Sequence, residues 1–245
     1  MDNMTQTLLV EGNDDRFLIY ALCEKFNVKE TFKVEDCQGL DNIIIGFPIR
    51  LKGDGEIKTI GIVVDADVNI QSRWRQIRDV LVNSNLYADI PEECPSDGLI
   101  LLPINPDDIK VGVWIMPNNR SNGMLEDFAT FLIPKDDSLL PEVDKVLTDI
   151  ETRKLNRYNP THHSKARIHT WLAWQKDPGT PLGWAVTKKY LSATPPICQD
   201  FVNWLNCFIQ LIRCNINNNC NDDHKCCGRH YCLISPDIML SPHPT

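Results

Sequence analysis

The chain has 245 residues, 42% of them hydrophobic and 24% charged, a composition that can fill a core and excludes wholesale disorder. Its net charge of −8 excludes a uniformly basic nucleic-acid coat and leaves room for a local basic face. No apolar run approaches the ~20 residues that span a bilayer. The first twelve residues also lack a basic n-region and a small-residue cleavage site, so neither membrane association nor a signal peptide is expected.

The first predicted element is a buried strand, Thr7 to Val10, ending at Glu11-Gly12. Asn13 and Asp14 can cap the helix that follows, whose apolar positions Phe17, Leu18, Ala21, Leu22 and Phe26 keep helical spacing. Thr31 to Cys37 alternates as a second strand. Leu40 to Leu51 predicts a second helix in spite of Pro48, and Gly53-Asp54-Gly55 a turn. Thr59 to Val64 is the strongest strand of the chain and ends at Asp65. Ile70, Trp74, Ile77 and Leu81 then mark a third helix. Leu99 to Ile104 and Val111 to Met116 are further strand candidates; Met124 to Ile133 and Leu139 to Leu155 are helical. The β-α-β-α-β-α succession predicts an α/β fold, a mostly parallel sheet with helices on both faces.

In an open parallel sheet, function gathers at the carboxyl ends of the strands. The first strong strand ends in Glu11 and the third in Asp65-x-Asp67. If the two strands are neighbours, three carboxylates converge, and such a cluster repels itself unless a cation is present. Oxygen ligands suit Mg²⁺ or Mn²⁺. The plainer alternative is that these acids are solvated loop residues or helix caps.

LLVEGNDD (8–15), IGIVVDADVN (60–69) and the frame between them resemble the TOPRIM domain of topoisomerases, primases and OLD-type nucleases. VGVWIMPNNRSNGMLEDFATFLIP (111–134) and SKARIHTWLAWQKDPGTPLGWAV (164–186) are similar to a small group of TOPRIM-related bacterial and archaeal proteins of undefined function. The likeness covers roughly residues 5–206 and implies a TOPRIM-like (Rossmann-like) fold. It also implies that Glu11 is the general acid or base and a metal ligand, that Asp65 and Asp67 hold Mg²⁺ or Mn²⁺, and that the substrate is a phosphodiester of DNA or RNA. By analogy with the OLD-type nucleases, Glu126 and Asp127 would complete a second metal site and Asp15 would join the first, two metals flanking the reacting phosphate. Glu126 and Asp127 read equally well as first-turn acids favoured by a helix dipole. The pattern departs from its relatives at Asn118, where an aspartate is expected. OLD-type nucleases carry an ATPase; this sequence has no P-loop and no GxGxxG after a strand, so such a module would be a partner protein.

Between Arg153 and Tyr190 eight Lys or Arg stand against one acid, Asp177, with Tyr158, Trp171, Trp174, Trp184 and Tyr190 interleaved. Lys165 is the candidate electrostatic stabiliser of the transition state. Arg153, Lys154, Arg157, Arg167, Lys188 and Lys189 are candidates to follow a phosphate backbone. The competing reading makes Ile168, Trp171 and Leu172 a packed helical face, the tryptophans core and the charges merely solvated. Adjacent His162 and His163 point in different directions on a helix, so capping or surface placement is expected of them.

Only Cys23, Cys37 and Cys94 of the ten cysteines lie in the first 190 residues, so the body reads as reduced and cytoplasmic. Three segments are expected: an α/β domain over 5–150, a helical basic extension over 151–206 that closes with Phe201 to Leu205, and a Cys- and Asn-rich tail over 207–245. In that tail Cys226, Cys227, His230 and Cys232 lack the paired spacing of strong zinc modules. The functional expectation is Mg²⁺-dependent phosphodiester chemistry on nucleic acid, nucleolytic in kind. The alternatives are a non-catalytic module that binds nucleic acid or a protein partner, and a nucleotide-binding regulator.

Overall fold

A computed structural model of the chain describes residues 5–53 and 56–209. Five strands form one sheet: β1 (Gln6–Val10), β2 (Lys33–Asp36), β3 (Thr59–Asp65), β4 (Leu99–Leu101) and β5 (Lys110–Met116), in the order β2-β1-β3-β5-β4. All neighbours are parallel except β4, which runs antiparallel to β5 at one edge. The strand expected over 99–104 is cut to three residues, because an edge strand pairs on one side only.

Parallel neighbours need long crossovers, and helices supply them: α1 (Asn13–Phe26), α2 (Leu40–Leu51) and α3 (Ile70–Ser84). The chain then adds α4 (Leu125–Phe131), α5 (Leu140–Thr152), a single 3₁₀ turn at Pro160–His162, α6 (His163–Ala173), α7 (Leu182–Thr187) and α8 (Pro196–Ile209). Helix α2 runs through Pro48, which lies on its solvent side. No helix among the described residues is long and apolar enough to cross a membrane. Cys23, Cys37, Cys94 and Cys198 are free thiols.

Two cores follow from the two-residue period of the strands. Leu9, Ile60, Ile62, Val64, Val111, Val113 and Ile115 face α2 and α3. Leu8, Val10, Val63, Trp114 and Met116 face α1, α4 and the later helices, including Ile168, Trp171 and Leu172 of α6. Trp174 and Trp184, expected in the core, are 41% and 61% exposed. Trp174 follows the last residue of α6 and Trp184 lies on the outer side of α7, so of the three tryptophans only Trp171 is fully buried.

Leu8, Gly61, Gly112 and Ile100 form one row across the sheet. The two glycines leave a trench, and Phe208 fills it: a Cβ on Gly61 would stand 2.4 Å from Leu8 Cδ1 and 2.8 Å from the Phe208 ring. Helix α8 therefore continues to Ile209 with Cys207 and Phe208 buried, beyond the boundary expected at 206. Cys226, Cys227, His230 and Cys232, with the rest of 210–245, lie outside the described residues.

Candidate functional site

The topology places β1 and β3 side by side where the crossovers leave in opposite directions, the switch point at which open α/β sheets bind ligands. Glu11 follows β1 and Asp65 closes β3, and the Asp65 N–H donates to Glu11 Oε1 at 2.8 Å. The Leu125 N–H, first in α4, donates to Asp65 Oδ1 at 2.9 Å. One carboxylate thus ties β1 to β3 and the next ties β3 to α4. Glu11 Oε2 and Asp65 Oδ2 have no protein hydrogen-bond partner among the described residues.

Two more acids enter from helix N-termini. Asp15, at the third position of α1, accepts from the Gly12 N–H at 3.1 Å and is buried. Glu126, at the second position of α4, is buried and meets Lys165 Nζ of α6 at 3.0 Å. Burial raises the Asp15 carboxyl to about 7, and the charges of Glu11 and Glu126 push in the same direction. Asp65 is held well above the usual carboxylate range by burial and then by Asp15, Glu11 and Glu126. Glu11 is raised by burial, against the Asp65 hydrogen bond and the Arg73 charge. At Lys165 desolvation lowers the pKa, but the neighbouring Glu126 carboxylate more than offsets it and the ammonium is stabilised. Glu11, Asp15, Asp65, Glu126 and Lys165 therefore interact as one electrostatic unit.

Other expected site residues stand differently. Asp67 takes a left-handed φ of 51° and exchanges backbone hydrogen bonds of 2.8 Å with Gly123 in both directions, which latches the β3–α3 loop to the β5–α4 loop. Its carboxylate meets Arg73 Nη2 at 2.5 Å, while Arg73 Nε donates to the Asp65 carbonyl at 2.6 Å. Asp67 thus points at a buried arginine rather than at the Glu11–Asp65 pair. Asp127 accepts from the Met124 N–H at 2.8 Å and from Ser164 Oγ at 2.6 Å, which caps α4 and holds α6. A cleft of about 600 Å³, lined by Asp67, Asn122, Met124, Asp127, His162 and Ser164, opens beside the latch. His163 Nδ1 lies 2.7 Å from Glu151 Oε1. Asn118, in place of the expected aspartate, accepts from the Arg120 and Ser121 N–H groups and so shapes its own loop.

The basic extension is largely self-paired. Arg153 meets Asp149, Arg167 meets Asp144 and Lys188 meets Asp177, at 2.8, 2.5 and 2.9 Å. Counting charge within 153–190 omitted Asp144 and Asp149, which sit on the preceding α5. Lys154, Arg157 and Lys189 are exposed. Arg73 escaped sequence reasoning altogether; its signal was an arginine in the first turn after the acidic strand end, on the same helix stripe as Ile70, Trp74 and Ile77.

Among the described residues no group of three or more His, Cys, Asp or Glu side chains already stands as a metal cage. The donor chemistry fits a hard divalent cation all the same. The donors are all carboxylate oxygens, burial raises the proton affinity of Glu11 and Asp65, and each of the two keeps one oxygen unengaged.

Fold and site together define an α/β protein with a buried acidic pocket at the switch point of a mostly parallel sheet. The chain belongs to the family described as Protein of unknown function (DUF3226), which matches residues 5–210. No curated protein and no solved structure matches the chain.

Proposed function

We propose that this protein is a TOPRIM-like, OLD-related enzyme that carries out Mg²⁺- or Mn²⁺-dependent phosphodiester chemistry on DNA or RNA, nucleolytic in kind. The observation that supports it most is the convergence of Glu11, Asp15, Asp65 and Glu126 with Lys165 beside them, burial holding the carboxyls of Glu11, Asp15 and Asp65 above their usual range. A carboxylate pocket that holds protons near neutrality releases them when a divalent cation binds.

Glu11 and Asp65 would hold the cation through their unengaged oxygens, with Asp15 and Glu126 as the nearest additional donors. The bound cation supplies Lewis-acid polarisation of the phosphodiester and lowers the pKa of its water. Glu11 accepts or returns a proton at Oε2, its Oε1 being fixed on the Asp65 N–H. Lys165 neutralises Glu126 at rest and can turn its ammonium onto a phosphate oxygen as charge develops. Asp67, paired with Arg73, holds the loop rather than the metal.

That pairing also favours a second reading, a binding module without catalysis, because it removes one acid from the reacting centre. Purified protein incubated with labelled single- and double-stranded DNA and RNA, with and without Mn²⁺, separates the two. Cleavage abolished by Asp65→Asn supports the enzyme; retention of the label intact at every condition supports the module.

A further inference from the structure

A second cleft, of about 640 Å³, opens on the outer side of α3, lined by Trp74, Arg75, Arg78, Glu92, Cys94 and Arg120 among others. We infer that it receives the phosphate backbone of the nucleic-acid strand that reaches the carboxylate pocket, with Arg75, Arg78 and Arg120 as its phosphate contacts. The inference rests on the phosphodiester reading and adds to it the route of the substrate.

The cleft is built rather than incidental. Trp74 Nε1 donates to the Glu92 carbonyl at 2.9 Å and Arg78 Nε to the Pro91 carbonyl at 3.0 Å, which fixes the 91–92 segment against α3. On the opposite wall, buried Asn119 accepts from the Ile115 N–H at 2.7 Å and fixes the loop that carries Arg120. Of the amides at the start of α3, those of Ile70 and Ser72 are already bonded, to Asn122 and Asn69, and the arginines are the cationic groups the cleft offers an anion.

Their present partners are weak competitors. Arg75 is exposed with no partner among the described residues. Arg78 meets Glu92, whose side chain is 87% exposed, and Arg120 meets Asp97, 77% exposed, at 3.7 Å. Solvated pairs of this kind contribute little, and a phosphate can replace the carboxylate on each guanidinium bidentately. Glu93 also lines the cleft and opposes an anion.

The arginine cleft adjoins the cleft beside the latch. Residues 117–124 separate the two: Asn119 and Arg120 line the arginine cleft, while Asn122 to Met124 line the other together with Asp67 and Asp127. Met124 is followed by Leu125, whose N–H is bonded to Asp65 Oδ1, and the strand's route to Asp65 follows this loop. In the segment 153–189, expected from sequence to track the backbone, Arg153 and Arg167 are paired with Asp149 and Asp144 of α5 and Lys188 with Asp177.

The test is fluorescence anisotropy of the full chain with a labelled 20-nucleotide single strand across a salt series in Mn²⁺, with inorganic phosphate as a competitor. Arg75→Ala with Arg120→Ala should weaken binding about tenfold and flatten the slope of log affinity on log salt by about 1.4, since each single-strand phosphate contact contributes ~0.7. Lys25→Ala with Lys29→Ala, exposed residues at the end of α1 and just beyond it, should leave both unchanged. Glu92→Gln with Asp97→Asn should tighten binding severalfold, a gain that misfolding does not mimic. Unchanged affinity in the double-arginine variant while the wild type binds overturns the cleft and leaves the phosphodiester reading standing. No oligonucleotide binding, while calorimetry shows inorganic phosphate bound by the wild type and lost in the double-arginine variant, overturns the strand as occupant. Mn²⁺ affinity, measured calorimetrically on the same variants, should not move; it reports on the carboxylate pocket alone.

Discussion

The Asp65 amide is bonded to the Glu11 carboxylate at 2.8 Å, so the ends of the two central strands are joined by a side chain that belongs to the candidate centre. A group that fixes the sheet edge is also a group whose charge the fold must accommodate. Most of the expected behaviour of this protein follows from that double duty.

Asp65→Asn keeps an acceptor for the Leu125 N–H and removes one charge from a crowded pocket. The metal-free variant should gain about 1–2 kcal/mol, which for a chain of this size raises Tm by about 2–8 °C. Its Mn²⁺ affinity should fall at least about tenfold by titration calorimetry. Equal affinity in variant and wild type would remove Asp65 from the metal site.

The pH dependence of stability has a definite sign. Asp15, Asp65 and Glu11 all have folded-state pKa values above their unfolded ones, so the native state binds more protons than the unfolded state. Stability should therefore fall as pH rises, for Asp15 from its unfolded value of 3.8 through about 7. Urea unfolding between pH 4 and 8 should show the decline without metal, and Mn²⁺ should flatten it by neutralising the pocket. A metal-free stability that climbs through that range contradicts the raised carboxyl pKa values.

Phe208→Ala should cost about 3–5 kcal/mol, because the fully buried ring packs over both Gly61 and Gly112, and its loss leaves a cavity between Leu8, Ile100 and Trp204. A chain ended at Asn206 loses that ring and two acceptors of the buried Lys110 ammonium, the carbonyls of Cys207 and Phe208. Its Tm should drop by more than about 6 °C in a thermal scan. A melt superimposable on the full chain would assign Phe208 no packing role.

Lys165→Ala and Lys188→Ala should part company. Lys165 touches buried Glu126, so its loss should lower kcat by about tenfold or more with little change in KM. Lys188 is bound to Asp177 on the surface, and its removal should leave cleavage within about twofold of wild type. Steady-state rates on a labelled oligonucleotide decide it.

The strand ends were legible because long apolar runs such as Thr59 to Val64 stop abruptly at an acid, and a parallel arrangement brings such stops to one edge. Spacing alone did not show which way each acid turns. Asp65 and Asp67 are two residues apart, as in an extended strand, yet the left-handed φ at Asp67 swings it to Arg73. Asp15 and Asp127 look alike in sequence and both cap a helix, but Asp15 is buried among charges and Asp127 is bonded by Ser164. Gly61 and Gly112 inside β3 and β5 went unread; that Phe208, nearly 150 residues past Gly61, packs on them depends on contacts no local pattern encodes. The charge count over 153–190 failed for a similar reason, since its neutralising partners Asp144 and Asp149 belong to the previous helix.

Gln6 Nε2 donates to the Ile209 carbonyl at 2.8 Å, so the first strand and the end of α8 touch across 203 positions of sequence. On a ribosome, β1, β3 and β5 can pair long before α8 emerges, and until then one face of the sheet lacks its cover over Trp114 and the open trench. Closing so distant a contact makes folding slow relative to a chain with local contacts. Translation arrest anywhere before Phe208 leaves a nascent chain whose exposed sheet is a holdase substrate, and release of the last helix is the event that ends that dependence.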